Sequence, residues 1–202
     1  MLAEENFLSR ARATGAVVRF ANAYPDGYPG SRSSRRVAAV PLAALSAGVL
    51  ERNQVALAAG EAVASEIVND AWIRYYAADL PGVSAKRAGA NLARVSRGSD
   101  LTLFAHYDTD AAGHSRDLSR AVEALERVDA FLSGVFSEID QETLVLVVSD
   151  HGNIEDVRAG HTRNPALGLA FGPAAALLQA PKSLMDLAEL VLRAVRGEAP
   201  KG

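Results

Sequence analysis

Residues 143 to 165 read TLVLVVSDHGNIEDVRAGHTRNP. The opening run is short, continuous and apolar, and it ends at Ser149-Asp150, which predicts a buried strand running into a loop. That loop holds Asp150, His151 and, after Gly160, His161, so two of the four histidines in the sequence sit directly behind one strand. In an open parallel sheet the loops at the carboxyl ends of the strands converge on one edge, where ligands bind.

Working outward, SDLTLFAHYDTDAAGH (99 to 114) repeats the arrangement: an apolar strand, then a loop with Asp108, Asp110 and His114. A helix follows, marked by Leu118, Val122, Leu125, Val128, Leu132 and Val135 at intervals of three or four. PALGLAFG (165 to 172) reads as a further strand and SLMDLAELVLRAV (183 to 195) as a closing amphipathic helix. At the other end, residues 3 to 14 carry helical spacing up to Gly15, and AVVRFANAY reads as a strand. Strands alternating with helices imply an α/β fold around a mostly parallel sheet flanked by helices in three layers.

Between these parts the rhythm changes. PDGYPGSRSSRR (25 to 36) is a loop rich in Pro, Gly and Ser, and residues 37 to 97 are Ala-rich and helical. Trp72, Ile73, Tyr75 and Tyr76 could give that segment a small core. The expected organisation is an α/β domain from 1–24 and 99–202, interrupted by a helical insertion or cap at 25–98.

The whole chain has 202 residues, 49% apolar and 22% charged, with a formal net charge of −3. That length can bury a sizeable core without staples, and the charge balance gives no sign of a nucleic-acid partner. Cysteine is absent, so any metal must be held by nitrogen and oxygen. The longest apolar stretch, 37 to 50, is too short for a membrane span and is broken by Pro41 and Gly48. No signal peptide is visible at the N-terminus, and a cytoplasmic location is the default expectation.

Asp110 and His114 are four residues apart, so both reach one ion if the chain turns helical there. Together with Asp150, His151 and His161 they make five groups that zinc, manganese or iron accept, more than one four-coordinate ion needs. Two ions sharing a site is the economical reading, and paired metals usually act on phosphate or a similar oxyanion. His106 is expected to be structural, and Asp108 is the alternative to Asp110 with the poorer spacing.

The segments SDHGNIED, HTRNP and TDAAGH closely resemble metal-binding motifs of the alkaline phosphatase superfamily, in the branch of cofactor-independent phosphoglycerate mutases and phosphopentomutases. The resemblance covers residues 99 to 173 and reaches weakly to FANAYP at 20 to 25. It implies a hydrolase or isomerase that transfers phosphoryl groups on a phosphorylated small molecule, using two divalent ions, manganese or zinc. By position, Asp110, His114 and His161 would bind one ion, and Asp150 and His151 the other.

In that family an aspartate and a Ser or Thr nucleophile come from strand ends nearer the N-terminus. No aspartate precedes Phe20 here, and Ser9 and Thr14 lie at the first helix, so the nucleophile is expected to be missing and one metal site complete. The chain then reads as the later part of a longer protein. Asp26, with Ser31, Ser33 or Ser34, is the rival source of a ligand and nucleophile. Arg32, Arg35 and Arg36 could clamp a substrate phosphate, and Arg163, inside HTRNP, could touch substrate or pair with Glu155 or Asp156. Asn153 and Asn164 are expected to shape the loop through hydrogen bonds. A sheet lacking strands would present an open edge through which another piece could associate.

Overall fold

The computed structural model describes residues 5–30, 37–77, 79–176 and 182–198. Arg32, Arg35 and Arg36, and with them Ser31, Ser33 and Ser34, lie outside the described residues. The chain forms two compact units: Met1–His106 with Arg127–Ile139, and Tyr107–Glu126 with Asp140–Gly202.

The first unit begins with α1 (Phe7–Ala13), started by Asn6, whose side chain accepts the backbone N–H groups of Leu8 and Ser9 while the Ser9 hydroxyl receives the N–H of Asn6. This reciprocal cap satisfies helix-start donors that would otherwise lack partners. The chain then enters β1 (Val18–Phe20), which pairs in parallel with β2 (Leu101–Leu103) in the register Val18↔Leu101 and Phe20↔Leu103. Between them run α2 (Ala39–Ser46), α3 (Gln54–Ala59), α4 (Asp70–Tyr75) and α5 (Ala85–Ser96). The segment expected as a helical insertion is therefore helical, and α2 shares a core with α1 and β1 through Leu8, Phe20, Ala43, Ala44 and Ala47. Trp72 packs with Ala23, Leu57 and Leu80 and with the partly buried Ile73, whereas Tyr75 and Tyr76 remain exposed.

The long helix α7 (Leu118–Glu138) follows the expected apolar spacing, and its second half belongs to this unit. There Phe131 and Val135 join Val63, Ile67 and Ala88 in a third core cluster. Gly89 of α5 and Gly134 of α7 make that packing close. A Cβ on either would run into the backbone carbonyl of Phe131 or of Lys86.

The second unit contains α6 (Asp108–His114), the first half of α7, β3 (Val145–Val148), a 3-10 turn at Ile154–Asp156, β4 (Gly168–Phe171) and α8 (Leu184–Val195). Here pairing departs from the expected parallel sheet. β3 and β4 are antiparallel, with Val145↔Phe171 and Val148↔Gly168. A parallel return needs a crossover, usually a helix. The connection from 149 to 167 holds only the 3-10 turn, so the chain doubles back on itself. The α/β class stands, and parallel pairing is seen between β1 and β2.

Candidate metal centre

Of the five side chains expected as ligands, Asp110, His114, His151 and His161 converge within the second unit, while Asp150, largely exposed, is in contact only with the neighbouring His151. Asp110 and His114 lie on α6, where their four-residue spacing stacks them on one face of the helix. His151 and His161 come from the β3–β4 connection, which is pinched by a bridge between Gly152 and Thr162, one residue beyond each histidine. The Thr162 N–H donates to the Gly152 carbonyl at 2.9 Å. This pinch stacks the rings of His151 and His161, with centroids 3.8 Å apart. A Cβ at Gly152 would meet Thr162 Oγ1 and lie 2.6 Å from Glu155 Oε1, so a larger residue there would displace both side chains.

Asp110 Oδ1 is the centre of the group. His161 Nε2 lies 3.4 Å away, His114 Nε2 3.5 Å and His151 Nε2 3.8 Å. The Nε2 atoms of His114 and His161 are 3.1 Å apart, so Asp110, His114 and His161 form a triangle of donors. Ligands about 2.0–2.2 Å from a tetrahedral ion stand roughly 3.3–3.6 Å from one another. The triangle therefore has the size of one face of a coordination polyhedron. Asp110, His151 and His161 form a second such group, their ligand atoms all within 4.8 Å of one another. Asp150 joins through His151, with Oδ1 3.6 Å from His151 Nε2.

A surrounding network holds these groups in place. Asn153, almost fully buried, donates its amide to Asp110 twice, to the carboxylate at 2.6 Å and to the backbone carbonyl at 3.1 Å. Its own N–H donates to Glu155 Oε2 at 2.7 Å. Glu155 Oε1 in turn accepts from the Thr162 hydroxyl and from the Asn164 amide. The Thr162 hydrogen bond leads the group of donors that lowers the Glu155 carboxyl to about 2. Such a carboxylate stays charged and keeps both limbs of the loop tied together.

Other residues fall out as follows. Asp108 is buried and ion-paired with Arg120, so its carboxylate is held away from the ligand role. His106 Nδ1 lies 2.7 Å from the Ser65 carbonyl, the structural role expected for it. Asp26 accepts a hydrogen bond from Asn53 at 2.8 Å, within the first unit. Arg163 is exposed, and Asp156 pairs with Arg158 instead. Asn164 shapes the loop, as expected. Asn153 does more than its position after a loop glycine suggests, because it also orients a carboxylate 43 residues earlier in the chain.

Three imidazoles gathered around one carboxylate make a candidate site for a divalent metal ion. A family model described as the metalloenzyme superfamily matches residues 80–196, more than half of the chain, and the chain belongs to that family. Divalent metal binding follows from the membership. Among curated proteins, the 2,3-bisphosphoglycerate-independent phosphoglycerate mutase of Ruegeria pomeroyi is 37% identical over 108 residues, 48% of this chain and 21% of the relative. The enzyme of the same name from Roseobacter denitrificans is 33% identical over 132 residues, 60% and 26% of the two chains. That of Desulforudis audaxviator is 34% identical over 122 residues, 55% and 24%. The chain thus spans about a quarter of the length of the curated relatives it matches. No solved structure matches.

Proposed function

We propose that this chain supplies metal-holding machinery for phosphoryl transfer on a phosphorylated small molecule, as a phosphatase, phosphodiesterase or phosphomutase. The observation that carries the reading is the triangle of Asp110, His114 and His161, whose edges of 3.5, 3.1 and 3.4 Å suit a bound divalent ion. Asp110, His114 and His161 would hold one ion, and Asp150 and His151 would contribute to a second, with manganese or zinc as the metals. Bound there, such ions neutralise charge on a phosphoryl group and lower the pKa of a coordinated oxygen. The chain's own part is to keep the imidazoles and carboxylates fixed before substrate arrives. Asn153 holds Asp110, and Glu155 ties the limb carrying His151 to the limb carrying His161. Arg163 is exposed beside His161 and is proposed to meet substrate phosphate. Arg35 and Arg36 are proposed for the same task.

The test is a count of ions. The purified chain is loaded with manganese or zinc, freed of excess and measured by elemental analysis. About one tightly held ion per chain, lost in His161→Ala, is the expected result. A chain that retains none, or whose His161→Ala variant retains as much, refutes the reading. Hydrolysis of a chromogenic phosphate ester, lost in His114→Ala, would add that the chain turns over by itself.

A second reading rests on a separate observation. Val148, Leu167 and Leu169 in and beside β3 and β4 are exposed, and β3 pairs only with β4 among the described residues. His151 Nδ1 is buried and has no hydrogen-bond partner among the described residues, although metal-bound imidazoles usually have one. These features favour a site completed by a further strand-bearing piece that adds to the sheet edge and brings the nucleophile. The full arrangement would then be the three-layer, mostly parallel sheet, with residues 25–98 as a cap. A metal-binding domain without catalysis is the alternative, and mixing the chain with such a piece distinguishes them by the gain of esterase activity.

A further inference from the structure

The first unit has a concavity of about 220 Å³ bounded by the end of α3, the 81–83 loop and α5. Arg87, Asn91 and Arg94 line it at intervals of four and three, so one face of α5 presents all three. Gly60, which ends α3 at a φ of +72°, lines it as well. A Cβ there would lie 3.1 Å from Arg94 Nη2 and 3.2 Å from Asn91 Nδ2, so a side chain at position 60 would crowd these two donors.

The donors are open to a ligand. Among the described residues neither Arg87 nor Arg94 forms an ion pair, and the Arg94 guanidinium is partnered by Asn91 Oδ1 alone. Neither guanidinium donates to the carbonyls that end α3 among the described residues. Glu61, Asp70 and Asp79 are the acidic residues nearest in sequence to these walls, and none of them lines the concavity. Of residues 57–94 only Ala78 lies outside the described residues, and it is uncharged.

An acceptor without a donor sits on the same concavity. Asn69, 2% exposed, lines it and donates its amide nitrogen to the Pro81 carbonyl at 3.1 Å. Its Oδ1 is shielded from water and has no hydrogen-bond partner among the described residues. It does not cap α4 either, although Asn69 holds the N-cap position of that helix. Buried polar atoms are rarely left unpaired, so this oxygen calls for a donor. Guanidinium forks match carboxylate and phosphate oxygens, but an anion alone would leave Asn69 unsatisfied. A hydroxyl on the same molecule supplies what is missing.

We propose that this concavity binds a small hydroxylated oxyanion, a carboxylate or a phosphate monoester. Arg87, Arg94 and the Asn91 amide clasp the oxyanion, and a hydroxyl of the same molecule donates to Asn69 Oδ1. The volume limits the ligand to a few carbon atoms. The site shares no residue with the metal centre and does not depend on phosphoryl transfer there.

The test uses the full chain stripped of metal, titrated calorimetrically at fixed ionic strength with sodium glycerate and, separately, with glycerol 3-phosphate. At least one should saturate at one molecule per chain, and the tighter of the two identifies the oxyanion. Neutral glycerol and sodium chloride should give no saturable heat. Arg87→Gln and Arg94→Gln should each weaken binding about tenfold with unchanged far-ultraviolet circular dichroism, since both side chains are exposed. Propionate and methyl phosphate, which lack the hydroxyls, should bind about tenfold more weakly than their hydroxylated counterparts. His114→Ala, which removes a group of the metal centre, should bind as tightly as the wild-type chain. Saturation by neither ligand would overturn the proposal. So would undiminished binding in the Arg87→Gln/Arg94→Gln double variant, loss of binding in His114→Ala, or equal binding of the ligands without hydroxyls.

Discussion

The two units of this chain are organised on different principles. The first has three clusters of buried apolar side chains, in which Leu8, Phe20, Val63 and Ile67 are almost entirely shielded from water. The second has no such cluster among its described residues. Its buried apolar side chains are Ala112, Ala121, Ala124, Leu190 and Leu192, while Val148 on β3 is 46% exposed and Leu169 on β4 is 38% exposed. What converges in the second unit is polar: three imidazoles, the Asp110 carboxylate and the Asn153–Glu155–Thr162 network. Burial stabilises one unit, and in the other a bound ion can contribute what a core contributes elsewhere, since metal that binds only the folded site stabilises it.

The contrast breaks first if one substitution has the same effect on both sides. Leu8→Ala removes a fully buried side chain and should cost about 3–5 kcal/mol, whereas Leu169→Ala should cost about 1 kcal/mol or less. Urea unfolding monitored separately in each unit by hydrogen exchange measures both, and equal losses would mean that the exposed face of β4 is covered in solution. Metal should then act in the opposite direction. At about a hundredfold excess over its dissociation constant, zinc or manganese should stabilise the second unit by roughly 2.7 kcal/mol. Amide exchange in residues 107–126 and 140–176 should slow, with little change around Leu8 and Phe20. Asp110→Ala should abolish the effect.

Much of the candidate metal centre's clustering was legible because its information is local. Asp110 and His114 sit at helical spacing, and Asp150-His151 directly follows an apolar run, so strand ends and one helix turn suffice to gather them. Pairing sense was not legible from strand and helix alternation. The clue lay in residues 149–167, which lack the apolar periodicity of a crossover helix and fold back as an antiparallel connection. Asn153 was legible only as a loop former, because its partner Asp110 is distant in sequence.

Gly113 sharpens the comparison at closer range. In most helix interiors alanine is preferred to glycine by about 1 kcal/mol. In α6 a Cβ at residue 113 would lie 2.5 Å from Asn153 Oδ1 and 2.6 Å from its Cγ, so Gly113→Ala must displace the side chain that orients Asp110. Metal affinity should fall about 10- to 100-fold, the usual effect of losing an outer-shell partner, while overall stability changes far less. A metal titration beside a urea melt separates the two. In the first unit Gly89→Ala offers the converse case: its Cβ meets the Phe131 backbone, and stability should fall with metal affinity unchanged.

The smallest expected effect concerns acid. Glu155 is lowered to about 2 in the folded chain, against 4.5 for an unperturbed glutamate, chiefly by the Thr162 hydroxyl. A depressed carboxyl stabilises the folded state when both states are ionised, above about pH 4.5. That contribution declines as pH falls through the window from 4.5 towards 2, where the unfolded chain takes up a proton and the folded one does not. Glu155 is exposed, so solvent screening keeps the effect small. Metal-free protein is the correct material, because protons compete with metal for the same ligands and would hide it. Hydrogen exchange of the 149–167 loop should show extra opening in this window in the wild-type chain. Glu155→Gln should already be more open at neutral pH and lack the acid-dependent step. Parallel profiles for the two chains would mean that the backbone bridge between Gly152 and Thr162 holds the loop without help from the carboxylate.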